Sequence, residues 1–126
     1  MNRRRVLALL VPVLVLTGGC AEAAETAGGV RDCAGLAADV ARTGLSGVPT
    51  QAEAEQAVAR LDDRIGQLGS TTVKDAATTL RDRLQDLQQA AAKADPAAAT
   101  AAAAAARDAA RATAEACGLP AEQFVG

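Results

Sequence analysis

The chain contains no histidine, tryptophan or tyrosine, and Phe124 is its single aromatic residue. Without histidine it cannot form a Ser-His-Asp triad, an imidazole base or a histidine-ligated zinc or haem site. With one aromatic ring there is little on which a nucleobase or a sugar could stack. The formal net charge is −2, so no basic excess is available to bind nucleic acid. The composition therefore argues against histidine-dependent enzymes and metal sites, against sites that stack aromatic rings and against nucleic-acid binding.

The first 19 residues have the organisation of an export signal. Three arginines at positions 3–5 precede an apolar run over residues 6–16, and Gly18 and Gly19 come directly before Cys20. A basic start, a short apolar segment and small residues before a cleavage point are the parts of a secretory signal. The apolar run is too short to cross a bilayer, which takes ~20 residues. We therefore expect residues 1–19 to be a signal peptide that is removed on export.

The segment around Cys20 resembles the lipobox of bacterial lipoproteins. In that family a small residue precedes the cysteine that receives the lipid, and Gly19 and Cys20 occupy those two places. Thr17 departs from the pattern, because leucine is commonest there and Leu16 lies one residue earlier. The resemblance implies cleavage before Cys20, a diacylglycerol on its sulfur and often a third acyl chain on its amine. Two or more chains give stable anchoring to the membrane. The alternative is an ordinary cleaved signal with Cys20 unmodified.

Residues 20–29 are expected to be the lipidated cysteine and a tether for the folded domain, residues 30–126. The stretch AEAAETAGG after Cys20 suits a flexible linker, which at this length spans roughly 15–18 Å. Signal removal takes away three of the 13 basic residues and none of the 15 acidic ones. We expect the remaining acidic surface to avoid anionic headgroups, so that the lipid holds the domain on a tether rather than flat against the membrane. The alternative is that residues 21–26 extend the first helix.

Helical spacing of apolar residues dominates the rest of the chain, in segments of about 30–43, 50–68, 70–91 and 96–117. Thr50 and Glu53 form a capping box at the second segment, and Asp95 followed by Pro96 begins the fourth. The third starts at Ser70 or at one of the two threonines after it, and Gly69 is the expected C′ residue of the second. The predicted buried faces are Val30, Cys33, Ala37 and Val40; Ala54, Val58, Leu61, Ile65 and Leu68; Val73, Ala77, Leu80, Leu84, Leu87 and Ala91; and Ala99, Ala103, Ala106, Ala110, Ala114 and Cys117.

No segment alternates with period two, so the sequence predicts an all-α fold. Short connections favour a small up-down-up-down four-helix bundle; the alternative is a long hairpin of the second and third helices with loosely attached ends. The fourth helix offers mainly methyl groups, whose burial removes little area at ~25 cal/mol per Å². Its run over residues 97–106 is either a packed face or a low-complexity expansion. The C-terminal tail either folds Phe124 back on the bundle near the cysteines or is a recognition peptide.

Two cysteines remain once Cys20 carries lipid. Cys33 lies near the start of the first predicted helix and Cys117 at the end of the fourth, and the predicted topology brings these ends to one pole. The exported compartment permits a disulfide, and the chain-entropy model gives about 4–5 kcal/mol for a loop of this length. The alternative is a redox pair or a thiol nucleophile, but CxxC spacing and a neighbouring histidine are both missing.

Charged residues on the second and third helices predict an ion-paired surface, each pair contributing ~0.3–0.5 kcal/mol. The interleaved residues are Arg60, Asp62, Asp63, Arg64, Arg81, Asp82 and Arg83. A weak calcium site is the alternative, built from Asp62, Asp63, Glu55 and Asp82 or Asp86. Consecutive helical side chains point about 100° apart and clamp a cation poorly. We expect no catalytic residue, no metal ligand and no cofactor.

The layout as a whole resembles small actinobacterial lipoproteins of unassigned activity. In those proteins a lipobox precedes a helical, Ala-rich domain with one cysteine near its start and another at its end, here Cys33 and Cys117. Some are grouped as bacteriophage spanin-like, which implies a part in membrane disruption during lysis. We expect a lipid-anchored, non-enzymatic structural or interaction module of the cell envelope, with an unknown envelope protein as partner and no nucleic acid. A phage-derived lysis accessory and a binder of a small apolar ligand or lipid are the alternatives.

Overall fold

The computed structural model describes residues 31–125, which form five helices and no strand. The helices are α1 (residues 31–41), α2 (Gln51–Ile65), α3 (Thr71–Ala92), α4 (Pro96–Cys117) and α5 (Glu122–Val125). The predicted all-α class is confirmed. The expected signal peptide, Cys20, the tether to residue 29 and the predicted core residue Val30 lie outside the described residues.

The helices pack as a small bundle. Helix α3 lies between α2 and α4 and contacts both extensively, and α5 packs on α4. The turns from α2 to α3 and from α3 to α4 are short, so consecutive helices run antiparallel. Asp39 of α1 pairs with Arg64 of α2, and Cys33 of α1 lies beside Cys117 of α4. Helix α1 therefore closes the bundle against its second and fourth helices.

Side-chain caps set the starts of three helices, as the sequence predicts. The Thr50 hydroxyl accepts from the Glu53 N–H at 3.2 Å, and the Glu53 carboxylate accepts from the Thr50 N–H at 3.3 Å. Asp95 accepts from the Ala98 N–H at 3.1 Å, with proline in the first turn of α4. Of the three candidate caps for α3, Ser70 is used. These local signals locate the helix starts because each satisfies backbone N–H groups that have no partner within the helix.

Two predicted helix ends are wrong. Helix α1 ends at residue 41 rather than 43, and α2 ends at Ile65 rather than near Leu68. Gly66, in a right-handed conformation (φ −62°), is the C-cap of α2, so Gly69 is not its C′ residue. Leu68 is nevertheless buried, because the turn after α2 carries it back onto the core. Here the apolar spacing predicts correctly that Leu68 is buried, but it does not predict where the helix ends.

The alanine-rich helix supplies a packed face of the core. The buried residues of α4 include all five predicted alanines, and Ala109 and Thr113 join them. Thr113 satisfies its buried hydroxyl by donating to the Ala109 carbonyl oxygen at 2.8 Å. At the end of α3, Ala90 is buried where Ala91 is predicted. Leu36 and Leu45, absent from the predicted faces, are 0% and 2% exposed and add large side chains to the core.

Candidate functional site

One pole of the bundle is built around the two described cysteines. Cys33 lies in α1 and Cys117 is the last residue of α4, and their Cα atoms are 5.8 Å apart, within the range of a disulfide. They are 84 positions apart in the sequence. Cys33 is 4% exposed and Cys117 is partly buried. The structure thus brings together the two predicted partners, and a bond between them would join the first and the last long helices.

The chain turns at this pole after α4 and folds back. Gly118 adopts a left-handed conformation (φ 67°) that a residue with a Cβ rarely takes, and the Leu119 N–H donates to the Ala114 carbonyl at 3.0 Å. Residues 122–125, expected to be a tail, form the short helix α5. Phe124 is 1% exposed, so the expectation that it folds back on the bundle is confirmed. Its burial adds the one aromatic ring of the chain to the core.

The contact between α1 and α2 contains an ion pair that is not among the predicted ones. Arg64 donates from Nε to Asp39 Oδ2 at 2.9 Å, and Asp39 is 9% exposed. The sequence predicts Arg64 as part of the ion-paired surface of α2 and α3, whereas its partner is Asp39 of α1. Gly35 permits the contact: a Cβ at this position would lie 2.6 Å from Arg64 Nη1. Two signals could have indicated it, a glycine inside a helical segment and the helical spacing of Asp39 from Leu36.

A polar cavity of about 180 Å³ adjoins this ion pair, lined by Asp39, Arg60, Asp63, Arg64 and Gln67. The Nε atom of Arg60 is buried and has no hydrogen-bond partner among the described residues. Two guanidinium groups one helical turn apart thus border the same cavity.

The exposed face of α2 and α3 carries the predicted ion pairs. Arg81 donates to Asp62 at 2.9 Å and to Asp82 at 3.2 Å, and Arg83 pairs with Asp86 at 3.4 Å. The hydrogen bond to Asp62, followed by that to Asp82, raises the pKa of Arg81 above its usual value. Within residues 31–125 no group of three acidic or cysteine side chains could hold a metal ion. The acidic residues of the calcium alternative are instead engaged with arginines or dispersed.

Three further cavities lie on the surface. One of about 320 Å³ is lined by glutamines of α2 and α3, and one of about 220 Å³ lies between α4 and α5. A third, about 230 Å³ and mainly apolar, is bordered by Ala91, Ala94 and Pro96 at the turn between α3 and α4. This cavity lies at the ends of α3 and α4. The alanines that face each other along the two helices are buried in the core.

No family model, curated protein or solved structure matches the chain. In the described part, none of the helices combines the length and the apolar character that crossing a membrane requires. The features that bear on function are the cysteine pole, the polar cavity beside α1 and the sequence before residue 31.

Proposed function

We propose that this protein is a membrane-anchored extracytoplasmic lipoprotein whose helical domain is a non-enzymatic structural or interaction module of the cell envelope. The observation that supports it most is the position of Cys33 and Cys117. A structural disulfide forms and persists in oxidising compartments and is rare in the cytosol. The cysteine pair therefore agrees with the export signal, although the two features lie in different parts of the chain.

The position of the pair also gives the anchored domain an orientation. The expected tether, residues 20–29, comes shortly before α1 in the sequence, and Cys33 in the first described turn of α1 lies at the pole of Cys117. A lipid on Cys20 would hold this pole toward the membrane. The opposite pole then faces away, with the connections over residues 42–50 and 93–95. Val48, 49% exposed, lies in the first of these connections and is available to an envelope partner.

A non-enzymatic role is supported by the chemistry of the side chains. The whole chain lacks histidine. The two described cysteines face each other rather than a base. The lysis accessory and the apolar-ligand binder stay predictions, which gene neighbourhood and native mass spectrometry of the purified protein would test.

Detergent phase partition of the full chain, expressed in a bacterium that processes lipoproteins, tests the anchor. The wild type should enter the detergent phase, and Cys20→Ser should lose the lipid. An unprocessed precursor could stay in the membrane through its apolar signal, so the size of each product is compared on a gel. Cys117→Ser is the matched control: it also removes a thiol and should partition like the wild type. A wild type in the aqueous phase, or a processed Cys20→Ser that still enters detergent, would contradict the proposal.

A further inference from the structure

We propose that the cavity between α1 and α2 binds a small carboxylate, held by Arg60 and Arg64. This inference is independent of the lipid anchor, since it rests on side chains of the folded domain. The cavity of about 180 Å³ is far larger than the roughly 10–15 Å³ that one water requires. It has room for a carboxylate with a few attached carbons.

The first binding group is already in place. The bond from Arg64 Nε to Asp39 fixes one edge of this guanidinium, and Gly35 lets the group lie close to the backbone of α1. Its Nη atoms donate no hydrogen bond to another described residue. Because an arginine fork that is held in position loses little freedom on binding, these donors are prepared for an oxygen ligand.

The second binding group, Arg60, has a hydrogen-bond donor without an acceptor. Arg60 lies one turn before Arg64, lines the same cavity and forms no ion pair among the described residues. Its buried Nε–H is unsatisfied, and a buried donor without an acceptor destabilises the folded state. Since Nε is out of reach of solvent, the proposed binding requires the end of the Arg60 side chain to turn until Nε–H and one Nη–H point into the cavity.

The two arginines and two aspartates of the lining balance one another, so a monoanion meets less repulsion here than a dianion. Asp39 already compensates Arg64, which leaves one cationic group, Arg60, beside the exposed carboxylate of Asp63. A planar carboxylate matches a guanidinium with two parallel hydrogen bonds and carries one negative charge. A phosphate dianion would bring a second negative charge toward Asp39 and Asp63. The ligand is therefore a carboxylate, either of a free small acid or of a peptide C-terminus.

Arginine Nε–Hε resonances in ¹H–¹⁵N spectra of the full chain in neutral detergent test the site at constant ionic strength. The probes are acetate, N-acetyl-Ala-Ala, the same peptide with an amidated C-terminus, and phosphate. Arg60 and Arg64 should shift together and saturate, with a Kd on the order of 1 mM for the better acid. Arg83, on the exposed face, is the internal control and should not saturate. Tighter binding of acetate would indicate a free acid, and tighter binding of the peptide a C-terminus; the amidated peptide should not bind.

Variants separate binding from a general effect of charge. Arg60→Lys keeps the positive charge and loses the planar fork, so it should weaken binding about tenfold, whereas Arg83→Lys should leave the Kd unchanged. If Arg60→Lys does not fold, Gln67→Glu at the exposed rim serves instead and should weaken binding through repulsion. The proposal is overturned if no acid gives a saturable shift, if Arg83 shifts equally, if phosphate binds more tightly than acetate, or if the folded variant binds like the wild type.

Discussion

Replacement of Gly35 by alanine sets two opposing effects against each other. Alanine is favoured over glycine within a helix by about 0.8–1 kcal/mol, so helix propensity alone predicts a more stable protein. The new Cβ would, however, lie 2.6 Å from Arg64 Nη1. The guanidinium is the flexible end of its side chain and can move away, but then it leaves Asp39, which is 9% exposed, without its partner.

The cost of losing the ion pair decides whether Gly35→Ala stabilises or destabilises the domain. Breaking a fully buried ion pair destabilises by about 3–5 kcal/mol. The Arg64 side chain is 32% exposed, so we reduce this to roughly 2–3 kcal/mol for solvent screening. After the gain in helix propensity, Gly35→Ala should destabilise the domain by about 1–2 kcal/mol. Urea unfolding followed by far-UV circular dichroism measures this, since the chain has no tryptophan for fluorescence.

Two comparisons make this test specific. Gly47→Ala is the control, because a Cβ there meets nothing within 4 Å, and it should be neutral or slightly stabilising. In an Arg64→Ala background the obstacle is gone, so Gly35→Ala should now stabilise by about 0.8–1 kcal/mol. A reversal of sign between the two backgrounds is the expected result. If Gly35→Ala stabilises the wild type as well, the guanidinium does not lie against α1 and the reasoning is refuted.

Three further substitutions test other parts of the fold by the same unfolding assay. Phe124→Ala should destabilise by about 3–5 kcal/mol, since it empties a fully buried site, and a loss below about 1 kcal/mol would show that α5 does not dock. Thr50→Ala should destabilise by about 1 kcal/mol through loss of the cap, whereas Ser46→Ala, in the preceding connection, should be neutral. Cys117→Ser should destabilise by up to about 4–5 kcal/mol and make stability insensitive to reductant; a wild type equally insensitive would rule out the disulfide.

The parts of the fold that the sequence predicts are those fixed by local chemistry. The caps at Thr50 and Asp95 each depend on a few neighbouring residues. The regular stripe of α3 places its leucines in the core because it recurs at helical spacing. Burial outside helices is harder to predict: Leu45 and Leu68 are carried to the core by turns whose path depends on the rest of the bundle.

The cysteine pair and the Asp39–Arg64 contact also differ in how far the sequence predicts them. The meeting of Cys33 and Cys117 follows from topology, since an antiparallel bundle brings the start of its first helix and the end of its fourth to one pole. The contact of Asp39 with Arg64 depends on the rotation of α1 about its own axis and on Gly35. Apolar spacing alone defines that rotation poorly, because the charged residue Asp39 is among the buried positions of α1.

The central claim is that the domain lies outside the cytoplasm on a lipid at Cys20. Intact mass spectrometry of the protein extracted from membranes without reductant tests it most directly. The account predicts a chain that begins at Cys20, carries the added mass of acyl groups and shows the mass deficit of one disulfide. A chain that retains residues 1–19, or one with an unmodified Cys20 and two free thiols at Cys33 and Cys117, would contradict it.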